Sequence, residues 1–242
     1  MSRYASQVVN DYFVANSRDL TPASVRHFTR LLYMPLATDQ EVTRSCESIL
    51  SDIELERADR FATQGDRTLF KQRRAFRRFC GALALGSDRL LSQIVFDQTE
   101  NGRPHLPGSP NIYFSFSSCR LGFLGAWSAT HGIGVDLEDQ MRALETTELA
   151  RQFFSTAEAE VVNRPGDFAS QRAFIRLWSL KEAALKSIGE GLPFGLDRFE
   201  FELEPDLRIV NAPDEFGGRA QFDAHLVEVA DGCVALVIRG LA

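Results

Sequence analysis

Along this 242-residue chain the spacing of apolar positions changes several times, and the changes mark out its elements. The first twenty residues show little periodicity and read as an extension. Thr38 followed by Glu41 reads as a capping box, after which Val42, Cys46, Ile49, Leu50 and Ile53 recur at helical spacing. A second helix is predicted from about Asp66 to Leu85, stopped near Gly86. At about 100° per residue, Arg67, Lys71, Arg74 and Arg78 fall on one narrow stripe. Leu69, Phe76, Cys80 and Leu83 fall almost opposite, so this helix should dock by its apolar side and show a basic ridge outward.

Strand-like runs follow at Gln93 to Asp97, Ile112 to Phe116, Leu121 to Ser128 and Gly132 to Glu138, with an Asn101-Gly102 turn after the first. Beyond Arg142 the helical period returns. Ser155 and Glu158 suggest another capping box, and Asp167 to Ile188 should form one long helix ending at Gly189. The tail offers strands at Phe199 to Leu203, Arg208 to Val210, Ala224 to Val229 and Cys233 to Arg239. Helix followed by short strands thus occurs twice, with no Pro/Gly/Ser linker between the occurrences. The prediction is an α+β fold of two similar halves related by pseudo-twofold symmetry, each with a small, mainly antiparallel sheet and a long packed helix. Their seam lies near Ala129 to His131. Residues 1–30 form the extension, 31–130 the N-terminal half and 131–242 the C-terminal half. Two such halves in one chain can enclose a complete site, so a monomer is expected.

Composition narrows the class of protein. Hydrophobic residues make up 44% and charged residues 25%, an ordinary soluble mix. No apolar run approaches the roughly 18 residues of a membrane span, and the start lacks the apolar region of a secretory signal. Cys46, Cys80, Cys119 and Cys233 are far apart, and so are the four histidines. That argues against a disulfide framework and a zinc site, and for a reduced, cytoplasmic setting. The net charge of -6 gives no sign of nucleic-acid binding. Locally, though, Arg67, Lys71, Arg73, Arg74, Arg77 and Arg78 have no acid among them, which suits either a solvated face or an anionic ligand.

Two segments could carry chemistry. In Gly132-Ile-Gly-Val-Asp-Leu-Glu138, strand alternation puts Asp136 and Glu138 on one face, with Val135 and Leu137 on the other. Paired carboxylates at a strand end suit a hard cation such as magnesium, or simply face solvent. Gly132-Ile-Gly134 is not a dinucleotide fingerprint, because Asp136 and Leu137 follow where the third glycine is due. In Trp178-Ser-Leu-Lys-Glu-Ala-Ala-Leu-Lys186, Ala173, Leu177, Leu180 and Ala184 form one apolar face, while Glu182 lies beside Ile175 and Trp178. A helix covered on both sides leaves Glu182 in need of a partner, either a metal or, at i+4, Lys186.

Taken together, these two segments resemble the signature pair of the 4′-phosphopantetheinyl transferases. The flanking Gly189-Glu-Gly-Leu192 and Leu196-Asp-Arg-Phe199 are similar to those of the larger, surfactin-synthetase-activating type. The resemblance runs from about Leu31 to the C-terminus. It implies a transferase that moves 4′-phosphopantetheine from coenzyme A to a serine of an acyl or peptidyl carrier protein, an acidic helical bundle, with Mg2+, releasing 3′,5′-ADP. It implies that the N-terminal half binds coenzyme A and the C-terminal half carries the metal site and the catalytic helix. Asp136, Glu138 and Glu182 match the metal acids, with Glu182 the general base, and Lys186 matches the lysine at the phosphate. Arg103 and Pro104, in Asn101-Gly-Arg-Pro104, match an adenine-contacting turn; Arg74 matches the arginine on the 3′-phosphate, Arg57 a second basic contact, and Ser115 a serine of the coenzyme pocket. Phe116 stands where many members have a histidine that touches the phosphates. That departure keeps a second reading open, a degenerate protein that binds coenzyme A or a carrier without catalysis.

Overall fold

The computed structural model describes residues 2–86, 89–142, 146–162 and 168–240. Its helices are α1 (Ser2–Asn16), α2 (Gln40–Ser48), α3 (Asp52–Asp59), α4 (Gln64–Leu85), α5 (Thr146–Phe153), α6 (Thr156–Val162) and α7 (Phe168–Ile188). Its strands begin with β1 (Arg18–Asp19), β2 (Thr29–Pro35), β3 (Asp97–Gln98), β4 (Pro104–His105) and β5 (Tyr113–Cys119). They continue with β6 (Gly122–Ser128), β7 (His131–Asp139), β8 (Glu200–Glu202), β9 (Arg208–Asn211), β10 (Phe222–Val229) and β11 (Gly232–Gly240).

Two antiparallel sheets organise the molecule, one in the order β1-β2-β6-β5 and the other β10-β11-β7. Alternation along their strands explains the packing. Leu31 and Tyr33 of β2 and Leu124 and Ala126 of β6 point inward. There they meet Ile133, Val135 and Leu137 of β7 and Val234, Leu236 and Ile238 of β11 in one shared core. The intervening positions of the first sheet, Met34 and Phe123, turn outward to Phe76 and Phe79 of α4. Those of the second, Ala235 and Val237, meet Leu177, Leu180 and Ala184 of α7. Helix, sheet, sheet and helix therefore stack in layers, and strands covered on both faces read as nearly continuous apolar runs. Among the described residues no helix is long and apolar enough to cross a membrane.

On the α7 side of β7 the glycines have a steric reason. A Cβ on Gly134 would lie 1.8 Å from the Ala183 carbonyl oxygen, and one on Gly132 2.6 Å from that of Ser187. The helix backbone rests directly on the strand there, so no larger side chain fits.

Several elements depart from the expectations. Residues 2–16 form a helix in which Ala5, Val9 and Phe13 are buried. Ser6 is buried beside them and Tyr12 packs alongside, while exposed Tyr4 and Val14 blur this face in the sequence. The cap of α2 is Asp39, not Thr38: its carboxylate accepts from the backbone N–H groups of Glu41 and Val42. The helix stops at Ser48, and α3 starts afresh from a Ser51–Glu54 capping box, leaving Ile53 79% exposed. Of Gln93 to Asp97 only Asp97 is strand, because a 3-10 turn over Leu91–Gln93 already delivers Leu91, Ile94 and Phe96 to the core. The Ser155–Glu158 capping box, the long helix to Ile188 and the four tail strands are present; Asp167 lies outside the described residues.

Candidate active site

Asp136 and Glu138 project from β7 toward α7, in the row that Gly132 and Gly134 begin. Asp136 is 4% exposed, and its Oδ1 accepts from Ser117 Oγ at 2.9 Å and Lys186 Nζ at 2.8 Å. Its Oδ2 is buried with no hydrogen-bond partner. Lys186 also donates to the Val135 carbonyl at 3.2 Å and stands 3.6 Å from Glu182 Oε2. Glu138 lies 3.7 Å from Arg142. The lysine therefore sits between the strand acids and the helix acid, closer to Asp136 than to its own i−4 neighbour.

Burial and crowding of like charge leave their marks on these groups. Burial, with Asp136 beside it, pushes the Glu138 carboxyl up to about 7. Burial also raises Glu182, against the opposing pull of Lys186. For Lys186 burial works against the charge, but the Asp136 and Glu182 carboxylates outweigh it and hold the ammonium above its ordinary value. Among the described residues no three His, Cys, Asp or Glu side chains stand as a ready-made metal cage. The donors are nonetheless of the right kind for a hard cation, carboxylate oxygens with one buried oxygen left over.

Beside these acids opens a cavity of about 160 Å3, whose walls include Arg77, Arg103, Pro104, Ser115, Phe116 and Lys186. Arg103 lies over the Tyr113 ring at 4.9 Å, and its Nε and Nη2 are buried without partners. Arg77 lies over the Phe116 ring at 5.1 Å with its Nε likewise unpartnered. Burial depresses both guanidinium groups, and with Arg73, Arg74 and Arg57 nearby it brings Arg77 to about 9. Unpaired buried N–H groups are costly, and an anion between them would satisfy the donors and the charge together. A second cavity, about 320 Å3, runs between Glu138 and Glu182 and is walled by Leu149, Phe174, Ile175 and Trp178.

The structure thus brings Arg103, Pro104, Ser115 and Lys186 to one cavity and Asp136, Glu138 and Glu182 to its neighbourhood, but not every expected residue. Arg74 does not line the cavity: its Nε is held 2.5 Å from Glu54 Oε1. Nor does Arg57, which is exposed and lies over the Phe70 ring. The outward, unbalanced basic ridge is overturned. Arg78 is 3% exposed and forks onto Glu54 at 2.7 and 3.1 Å, and Lys71 pairs with Glu47 at 3.1 Å. Those acids sit on α2 and α3, outside the window in which the ridge was read. Leu83, placed on the docking stripe, is 44% exposed.

Sequence reasoning missed two residues. Nothing in the basic run distinguishes Arg77 from its neighbours, and the available signal is Phe116, which marks a place lacking a polar group and lies under Arg77. Ser117 shares a strand face with Ser115, and that alternation was the available signal. Ser115 itself accepts from the Val135 N–H at 3.0 Å, joining β5 to β7 while it lines the cavity.

Comparison with known proteins agrees with this geometry. The family model described as the 4′-phosphopantetheinyl transferase superfamily matches residues 132–237, which hold both acid-bearing segments. The 4′-phosphopantetheinyl transferase HetI of Nostoc sp. is 31% identical over 175 residues, covering 71% of this chain and 73% of that protein. The 4′-phosphopantetheinyl transferase ffp of Bacillus subtilis is 30% identical over 187 residues, covering 74% and 77%. The 4′-phosphopantetheinyl transferase Sfp of Bacillus subtilis is 31% identical over 124 residues, covering 51% and 54%. With the signature acids and lysine gathered in space and relatives matching over most of both chains, this chain belongs to the 4′-phosphopantetheinyl transferase superfamily.

Proposed function

We propose that this transferase moves the 4′-phosphopantetheine arm of coenzyme A onto a serine hydroxyl of an acyl or peptidyl carrier protein and releases 3′,5′-ADP. The observation that carries the reading is one continuous arrangement. Unpartnered guanidinium donors line a cavity that Lys186 also lines, and Lys186 is paired with Asp136 at 2.8 Å. An anionic coenzyme fits the first part and charge development at phosphorus the second.

In this reading Arg103 and Pro104 flank the adenine, and Arg77 and Ser115 line the phosphate end. Arg57 and Arg74 lend charge from beyond the cavity wall. Asp136, Glu138 and Glu182 would hold Mg2+, which when bound neutralises pyrophosphate oxygens and orders them for in-line displacement. Glu182, half-buried and raised, takes the proton of the attacking serine hydroxyl directly or through a water. The serine oxygen bonds to the β-phosphorus as the bond to 3′,5′-ADP breaks, and Lys186 offsets the charge on the departing group. The apolar cavity at Trp178, rimmed by Arg142, is a surface for the carrier, whose acidic helices an arginine would attract.

Each large sheet has its own long helix on its outer face, which supports a pseudo-twofold relation of residues 31–130 and 131–242. The first half then supplies most of the coenzyme contacts and the second the acids. A monomer is the expected state, and the four cysteines, free thiols in the structure, fit a reducing cytoplasm.

The decisive test is the intact mass of a purified apo carrier protein after incubation with this protein, coenzyme A and Mg2+. The expected result is a gain of one phosphopantetheine that EDTA prevents; no gain with several carriers would overturn the reading. Within it, Arg77→Ala should weaken coenzyme A binding about 10- to 100-fold, the worth of one or two charge-assisted hydrogen bonds. Arg74→Ala should cost less, because Glu54 already holds that side chain. Titration calorimetry that ranks the two the other way would return the phosphate to Arg74.

A further inference from the structure

The helix segment that carries Glu182 and Lys186 contains another lysine, which the site does not use. Lys181 is 0% exposed although it directly precedes Glu182. Five residues from Lys186, it lies about 140° around α7 and points away from the acids. All three of its N–H donors are taken. Its Nζ is 2.7 Å from Glu158 Oε2 of α6, 3.0 Å from the Leu196 carbonyl, and hydrogen-bonded to the Phe199 carbonyl. Glu158 is equally occupied, accepting from the Ser155 N–H at 2.9 Å and the Phe201 N–H at 2.9 Å. One ion pair thereby ties α7 to the start of α6, to the 196–199 turn and to β8 on one side. On the other side, the helix backbone lies against Gly132 and Gly134 of β7.

A fully buried ion pair is a poor way to gain stability, since an apolar pair of the same volume commonly does as well. In some proteins such directional bonds are kept because they help select one rotation and one register of a helix. The neighbouring glutamate needs that selection, because misplacing a catalytic group by about 1 Å can cost two orders of magnitude in rate.

We propose that Lys181 is a positioning residue: it makes no contact with substrate, and with Glu158 it fixes the rotation and register of α7 that bring Glu182 and Lys186 to Asp136. The proposal rests on the transferase reading of that site. It predicts a loss in turnover without a loss in coenzyme binding.

The test pairs Lys181→Met with Glu158→Gln in the full chain, so that no buried charge is left unpaired. The double variant should regain most of the melting temperature lost by Lys181→Met alone. Its kcat should stay about 10- to 100-fold below that of the unaltered protein, with the coenzyme A dissociation constant from calorimetry within about threefold. Full kcat in the double variant would make the pair merely structural. A dissociation constant raised tenfold or more at normal kcat would make Lys181 a substrate contact. Lysine labelling of the unaltered protein adds a readout that no variant's folding can spoil. Lys181 should stay unlabelled with and without coenzyme A, and labelling of Lys181 in the free protein would overturn the proposal. If carrier transfer failed altogether, the transferase reading would fall while the labelling result still stood.

Discussion

Glu182→Gln should lower kcat by roughly two to four orders of magnitude and leave the fold intact. The side chain is half-buried on α7, and its internal polar neighbour is Lys186 at 3.6 Å, a separation too long for a strong ion pair. Glutamine keeps the volume against Trp178 and Ile175, so packing along the apolar cavity is preserved. It cannot take the serine proton and is a poorer ligand for a hard cation, so both roles assigned to Glu182 are lost together. The measurement is carrier modification followed by mass, alongside circular dichroism and a melting curve. Turnover like that of the unaltered protein would remove Glu182 from the mechanism. A collapsed melting transition would instead assign it to the fold.

The second large effect acts through the fold. Gly134→Ala places a methyl group 1.8 Å from the Ala183 carbonyl oxygen and 2.5 Å from the Ser187 nitrogen, both backbone atoms of α7. No rotamer change relieves such a contact, so either the helix lifts off the sheet or the strand bends. We expect a loss of about 4 kcal/mol or more, a large part of the roughly 5–15 kcal/mol of a typical domain. Urea denaturation reads the loss directly. A change below about 1 kcal/mol would show that α7 and β7 are not in backbone contact. The same variant should lose transfer activity even where folded protein is recovered, because Glu182 and Lys186 ride on the displaced helix.

How much of this was legible in the sequence depended on how local each cause was. The acid-bearing strand and the long helix showed themselves through alternation and through the run from Trp178 to Lys186, and both are where they were expected. The spacing of the two signature segments led to the right family. Acids lying far along the chain were invisible to a window reading. Glu54, about two dozen residues before Arg78, turned an apparent ligand-facing ridge into a buried ion-pair network. Ala5, Val8, Val9, Tyr12 and Phe13 of α1 do recur at helical spacing, but exposed Tyr4 and Val14 interrupt the pattern and made so short a run easy to overlook. The two glycines of the Gly132-Ile-Gly134 run could be excluded as a nucleotide fingerprint from their spacing. Their actual purpose depends on a helix that follows some fifty residues later, and only the packing reveals it.

The strand pairings also set a timetable for synthesis. Thr29 pairs with Ser128, and Asp139 with Gly232, so each large sheet is closed by partners about a hundred residues apart. As the chain leaves the ribosome, α1, α2 and β2 must wait for β6 before they have a sheet to cover. The acid-bearing β7 must wait in turn for β11, which follows it by some ninety residues. Such long loops close slowly and leave apolar edges uncovered in the meantime. At roughly 5–20 residues per second a hundred residues take several seconds, so co-expressed chaperones should raise the soluble yield without changing a single contact in the finished molecule.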